Sequence, residues 1–184
     1  MKIRHMFGSE MLFGLGAQGV EHYAATAPQL DLRTYFSGQL TASGVFFGLS
    51  GRVLRHFTMR MDGRWSGNEG AVEEKFHYDN GELGERRWQF AFSDAHADVQ
   101  RFSVTAPDVK GVGEGAQRGN AAVMRYRLIV PRAKGEIVVG MEDWFYLTAD
   151  GALVNRGRMT KFGLKVGEVF ATFSKPAAGK AGTQ

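Results

Sequence analysis

Apolar and polar residues alternate with period two along most of this chain. In "AVEEKFHYD", Val72, Phe76 and Tyr78 share a face with Glu74, and in "ERRWQFAF", Trp88, Phe90 and Phe92 share one with Arg86. "AVMRYRLIV" lines up Met124, Tyr126, Leu128 and Val130, and "RVLRHFTMRM" groups Val53, Phe57, Met59 and Met61 with Arg55. Successive side chains of a strand point to opposite faces, so each segment reads as a strand with one face to a core. "EIVVGMEDWFYL" reads both ways: Ile137, Val139, Met141, Phe145 and Leu147 bring Asp143 inward, and the opposite choice brings Glu142 with Trp144 and Tyr146. In "ALVNRGRMTKFG", Arg156 and Arg158 lie on one face and Leu153, Asn155, Gly157, Met159 and Lys161 on the other, so neither face is cleanly apolar.

Turn signals separate these runs. "GLSG", "NGE" and "ADGA" suit hairpins, and "QLTASGVFFG", "ADVQRFSVT", the glycine-rich "KGVGEGAQRGN" and "LKVGEVFATFSK" supply further strands. With no helix of three turns between them, a parallel βαβ sheet is disfavoured. A long antiparallel sheet disposes of its edges by closing on itself. The expected fold is therefore all-β: an antiparallel up-and-down barrel of about 8–10 strands, lipocalin-like, with a short N-terminal arm or helical turn over "APQLDLRTYFSG". The expected organisation is an arm or degenerate leader over 1–27, one barrel domain over 28–175 and a disordered tail over 176–184.

Composition agrees with one β-rich domain: 184 residues, 25 Gly against 4 Pro, and 14 Phe. The chain has no cysteine, which removes disulfides, thiolate metal sites and cysteine nucleophiles. A formal charge of +4 is spread through the strands rather than gathered in a stripe, so nucleic acid is not an expected partner. The start "MKIRHMFGSEMLFGLGAQGV" has the order of a secretory leader, but Glu10 interrupts it and the apolar run is too short to span a membrane. A cytoplasmic location is slightly favoured over a periplasmic one, and association with a membrane surface is left open.

The inward faces carry the candidate chemistry. Nearly every one contains a single ionisable group, and a charge inside a barrel requires a counter-ion, water or ligand. Glu74 and Asp143 would be the anions; Arg55, Arg86, Arg156 and Arg158 would be the cations, in excess. On that count Arg156 and Arg158 would meet a carboxylate or phosphate headgroup, Tyr126 would add a hydroxyl, and Trp88 with Phe and Met side chains would line space for an apolar tail. The competing reading has the two arginines facing solvent or pairing with the carboxylates. The candidate ligand-binding residues are thus Arg156, Arg158, Tyr126, Glu74, Arg86, Asp143 and Trp88, with no catalytic or metal-binding set and no cofactor. The histidines lack ligand spacing, "KGVGEGAQRGN" lacks the lysine and helix of a phosphate loop, and there is no nucleophile elbow. "GRW" at Gly63–Trp65 matches the short Gly-x-Trp pattern of lipocalins, though it falls after the second strand rather than in the first.

The stretch from "LDLRTYFSGQLTASGVFFGLSGRVLRHFTMRMDGRW" through "EEKFHYDNGELGERRWQF" and "GNAAVMRYRLIVP" to "MEDWFYLTADGALVNRGRMTKFGLKVGEVFATF" resembles the bacterial domain-of-unknown-function family 3833. The pattern Asp143-Trp144-x-Tyr146-Leu147 followed by Asn155-Arg156-x-Arg158-Met159-x-Lys161-Phe162-Gly163 carries the likeness. The resemblance implies a calycin-type barrel without an established activity, whose relatives look like exported lipoproteins and lie beside fatty-acid-modifying genes. This chain departs from them in having no lipobox cysteine before "VEHYAATAPQLDL". The expected function is non-enzymatic binding of a small apolar or amphipathic molecule, with a fatty acid as the example. The alternatives are a lipid-modifying enzyme using the same cavity, with Glu74 or Asp143 as acid or base, and an accessory protein whose filled barrel binds a protein partner.

Overall fold

The alternating segments become ten antiparallel strands in a computed structural model that describes residues 18–93 and 97–176. They are β1 (Gly38–Phe47), β2 (Val53–Ser66), β3 (Glu69–Tyr78), β4 (Leu83–Phe92), β5 (Gln100–Thr105), β6 (Gly113–Arg118), β7 (Ala121–Pro131), β8 (Glu136–Leu147), β9 (Leu153–Lys161) and β10 (Leu164–Ser174). Each strand pairs with its chain neighbours, and β1 pairs with β10 from Thr41↔Ser174 to Phe47↔Glu168, so the barrel is closed. Closure satisfies the backbone groups that an open edge would leave unpaired. The glycine-rich segment forms β6, and there two small residues carry the packing. A Cβ on Gly115 would collide with the Phe102 ring, and one on Gly113 would crowd Tyr126 and Val104.

The two ends differ. At the end reached by the β2–β3, β4–β5, β6–β7 and β8–β9 connections, the segment before β1 folds into the lumen. Its one-turn helix α1 (Leu32–Tyr35) starts at Asp31, whose carboxylate accepts the Arg33 N–H. Leu30, Leu32, Tyr35 and Phe36 are buried there, with Phe36 edge-on to Phe145 and Phe173. Burying side chains of this size contributes about 1.5–3 kcal/mol each. Arg33 ties the plug to the barrel through Asn68 and Gln100, and the Tyr35 hydroxyl donates to the Phe173 carbonyl at 3.0 Å. Gly63 is required here, because a Cβ would run into the Phe36 carbonyl. "GRW" therefore lies within β2, which runs on to Ser66, and Trp65 closes this end against Phe90 and Phe92 at 5.5 and 6.0 Å.

Upstream, a 3₁₀ turn (Val20–Tyr23) packs on the outside of β6 to β8, covering Trp144 and Tyr146. That explains the ambiguity of the β8 pattern. The Asp143 face points inward, while the Trp144 face points outward and is buried by the N-terminal segment. The parts of the expected arm and tail at 1–17 and 177–184 lie outside the described residues.

Candidate ligand site in the barrel lumen

Between the plug and the other end, the lumen holds a cavity of about 390 Å³. Its apolar wall includes Phe46, Phe57, Phe76, Met124, Met141 and Met159, with Phe145 and Phe173 toward the plug. It reaches the strand ends at Arg55, Tyr78 and Pro131. Two polar groupings interrupt the apolar wall.

The first grouping is Glu74, Arg86 and Asp108. In the β3–β4 register Glu74 stands opposite Arg86, and the Arg86 guanidinium lies 3.9 Å from Glu74 Oε2. The same guanidinium donates to both carboxylate oxygens of Asp108 through Nε at 3.1 and 3.0 Å, with Nη2 at 2.6 Å from Oδ2, and stacks 5.2 Å from the Trp88 ring centroid. Glu74 Oε2 is buried without a hydrogen-bond partner. Burial pushes the Glu74 carboxyl up to about 7; Arg86 and a hydrogen bond from Trp88 work against the shift and Asp143 adds to it. Burial also opposes the charge on Arg86, but Tyr126, Glu74 and Asp108 around it raise its pKa on balance.

The second grouping is Tyr126, Asp143 and Asn155. The Tyr126 hydroxyl donates to Asp143 Oδ2 at 2.8 Å, and Asn155 Nδ2 donates to Asp143 Oδ1 and to the Trp144 carbonyl, each at 3.2 Å. Burial raises the Asp143 pKa despite these two donors, and burial beside Asp143 raises Tyr126 well above the usual phenol range. Gly157, opposite Asp143 in the β8–β9 register, leaves room for the carboxyl; a Cβ there would collide with it.

Of the residues selected from sequence, Glu74, Arg86, Trp88, Tyr126 and Asp143 line this cavity together. Arg156 and Arg158 do not. Both are exposed on the outer face of β9, where Arg156 pairs with Glu168 at 3.0 Å. The reason is that β9 turns Leu153, Asn155, Gly157 and Met159 inward, as packing with Asp143 demands. The expected excess of cations is corrected with them. The cavity is lined by the carboxylates of Glu74, Asp108 and Asp143 against the guanidiniums of Arg86 and, at the mouth, Arg55. Arg55 in turn pairs with Glu82 at 2.6 Å and lies over Tyr78. Asp108 and Asn155 were not selected from sequence. Asp108 sits in the β5–β6 loop, where no periodicity assigns a direction, and the bridge Val109↔Leu128 pins that loop over the mouth. Asn155 could have been found from its alternation with Leu153 and Met159.

A family model described as "Protein of unknown function (DUF3833)" matches residues 9–175. The chain belongs to DUF3833. No curated protein matches this DUF3833 chain. Among solved structures it is similar to the S-type phycobiliprotein lyase CPES from Guillardia theta, at 8% identity and a TM-score of 0.61, over 89% of this chain and 100% of that one. At that identity the likeness shows a shared lipocalin-like barrel in this DUF3833 member and nothing of its chemistry.

Proposed function

We propose that this protein is a non-enzymatic binding protein that holds one small amphipathic molecule in its lumen, apolar body against the Phe and Met wall and polar end at Glu74. The observation that carries the reading is an apolar cavity of about 390 Å³ containing an orphaned buried carboxyl oxygen. That volume falls at the small end of the roughly 300–1,000 Å³ typical of ligand pockets. Buried polar atoms without partners are rare and costly, so a ligand group that exchanges a hydrogen bond with Glu74 gains more than one that cannot.

The charge balance argues against a free anion as the polar end. Arg86 is already engaged by Asp108, and Glu74, once ionised above about pH 7, would repel a carboxylate. A hydroxyl fits, and so does a fatty acid in its protonated form. The similar barrel is by title a phycobiliprotein lyase, and the likeness at 8% identity is one of fold. An accessory role with a filled barrel is disfavoured by the open cavity.

The test is binding of a long-chain alcohol and the matching fatty acid between pH 5.5 and 8.5, in the wild type and in Ala171→Phe, which fills the cavity from its wall. Both ligands are expected to bind the wild type, with the fatty acid weakening above pH 7, and neither to bind the folded variant. Equal binding to both proteins overturns the reading. A second reading rests on the Glu74 carboxyl poised near neutrality beside Arg86, which suits a proton donor or acceptor in lipid modification. Turnover of a bound lipid that is lost in Glu74→Gln while binding persists would favour it.

A further inference from the structure

The large apolar side chains that the described residues leave exposed are gathered at one end of the barrel. Phe162 is 92% exposed at the tip of the β9–β10 turn, and Leu49, Leu54, Leu83, Val112 and Leu164 are 64–72% exposed on or beside the other turns of that end. Val166 and Phe170 continue from Leu164 along the outer face of β10, where Phe170 meets Phe47 edge-on at 5.8 Å. This is the end at which the cavity opens; the opposite end is closed by Phe36 and Trp65. Scattered surface leucines need no explanation, but the gathering of six such tips, Leu49, Leu54, Leu83, Val112, Phe162 and Leu164, around one rim does.

Basic side chains stand among these tips. Arg52 on the β1–β2 turn, Lys110 in the β5–β6 loop, and Arg132 and Lys134 on the β7–β8 turn are exposed and enter no ion pair among the described residues. Lys161 lies 5.0 Å over the Phe162 ring. The acids at this end are largely engaged: Asp108 by Arg86, Glu82 by Arg55, Glu168 by Arg156 and Lys165, and Asp79 by the His56 N–H at 3.1 Å. Glu136, Glu85 beside Leu83 and Glu114 beside Val112 are exposed acids that enter no ion pair among the described residues. The five bases without an ion pair, Arg52, Lys110, Arg132, Lys134 and Lys161, still outnumber these three acids together with Asp79, so the free charge of the rim is positive.

We propose that the open rim docks on an anionic phospholipid bilayer, its apolar turn tips entering the headgroup region and its lysines and arginines meeting lipid phosphates. The geometry favours a bilayer over a protein. The apolar groups are prongs on separate turns around an opening, and a bilayer interface accepts such prongs individually, whereas a protein partner would need a matching socket for each. Apolar tips interleaved with basic residues are the combination by which peripheral proteins bind anionic membranes. The docking stands on rim side chains alone and does not depend on what the lumen holds.

The experiment is co-sedimentation of the full chain with phosphatidylcholine vesicles, with and without roughly a third phosphatidylglycerol. Three variants accompany it: Leu49→Ser with Phe162→Ser, Arg132→Glu with Lys134→Glu, and the cavity-filling Ala171→Phe. The wild type is expected to bind the anionic vesicles, to bind the neutral ones weakly, and to be released by salt. The apolar pair and the charge pair should each lower partitioning about tenfold, while Ala171→Phe binds as the wild type does. That last result separates failure of the lumen reading from failure of this one. The substituted rim positions are exposed on turns, and circular dichroism checks that each variant is folded. Wild-type partitioning in both rim variants, or no binding to either vesicle, overturns the proposal. A concentration-dependent dimer in sedimentation velocity that the apolar pair abolishes also overturns it, in favour of a second copy of this chain on the rim.

Discussion

Glu74 decides most of the lumen's chemistry. Its carboxyl keeps a proton up to about pH 7 in the folded chain, against a usual value of 4.5. Between those values the unfolded chain has lost the proton and the folded chain has not. Its contribution is therefore most favourable below pH 4.5, is lost as pH rises, and is flat above pH 7. Glu74→Gln is expected to remove that slope and to stabilise the fold relative to wild type at pH 8 by about 3 kcal/mol, with little difference at pH 4.5; urea titrations at both pH values measure it. Tyr126→Phe acts in the other direction, since it leaves Asp143 with Asn155 as its side-chain donor. The expected loss is about 1–3 kcal/mol, read from the midpoint of urea titrations. On the outer face, Arg156→Met with Arg158→Met should shift stability by no more than about 0.5 kcal/mol and leave ligand affinity unchanged.

At the scale of strands, alternation alone placed Glu74, Arg86, Trp88 and Tyr126 inward, because each shares its face with large apolar neighbours and the pleat forces them to one side. It did not resolve β9, whose inward face is Leu153, Asn155, Gly157 and Met159. Two of those four are small or polar, so the strand gives no hydrophobic contrast. The decisive fact is across the sheet: Asp143 lies opposite Gly157, and the register between two strands is a tertiary property that one strand's pattern does not carry. The β5–β6 loop was silent for a related reason, since a loop has no period from which to read where Asp108 points. The register makes Gly157→Ala a sharp test. Its Cβ meets the Asp143 carboxyl and Val169, so a loss of about 1–3 kcal/mol is expected in thermal unfolding.

For the molecule as a whole, the barrel joins a closed end, an apolar chamber and an open rim, and each was legible to a different degree. Closure followed from the number and spacing of strands, and an arm or helical turn before β1 from Leu30, Leu32 and Phe36 among polar residues after Pro28. The balance of charge inside did not follow, because it depends on β9 and on Asp108 together. A ligand that occupies the chamber binds the folded chain alone. At a hundred times its dissociation constant it should add about 2.7 kcal/mol of stability, seen as a higher melting temperature in the wild type and absent in Ala171→Phe.

The plug formed by Phe36 and its neighbours has a consequence for traffic. With that end sealed, the barrel is a vessel with one doorway, and a guest held there as proposed would depart along the route by which it arrived. An incoming molecule could not push a resident one out through the far side, so under the proposed function exchange would proceed by emptying first and refilling afterwards.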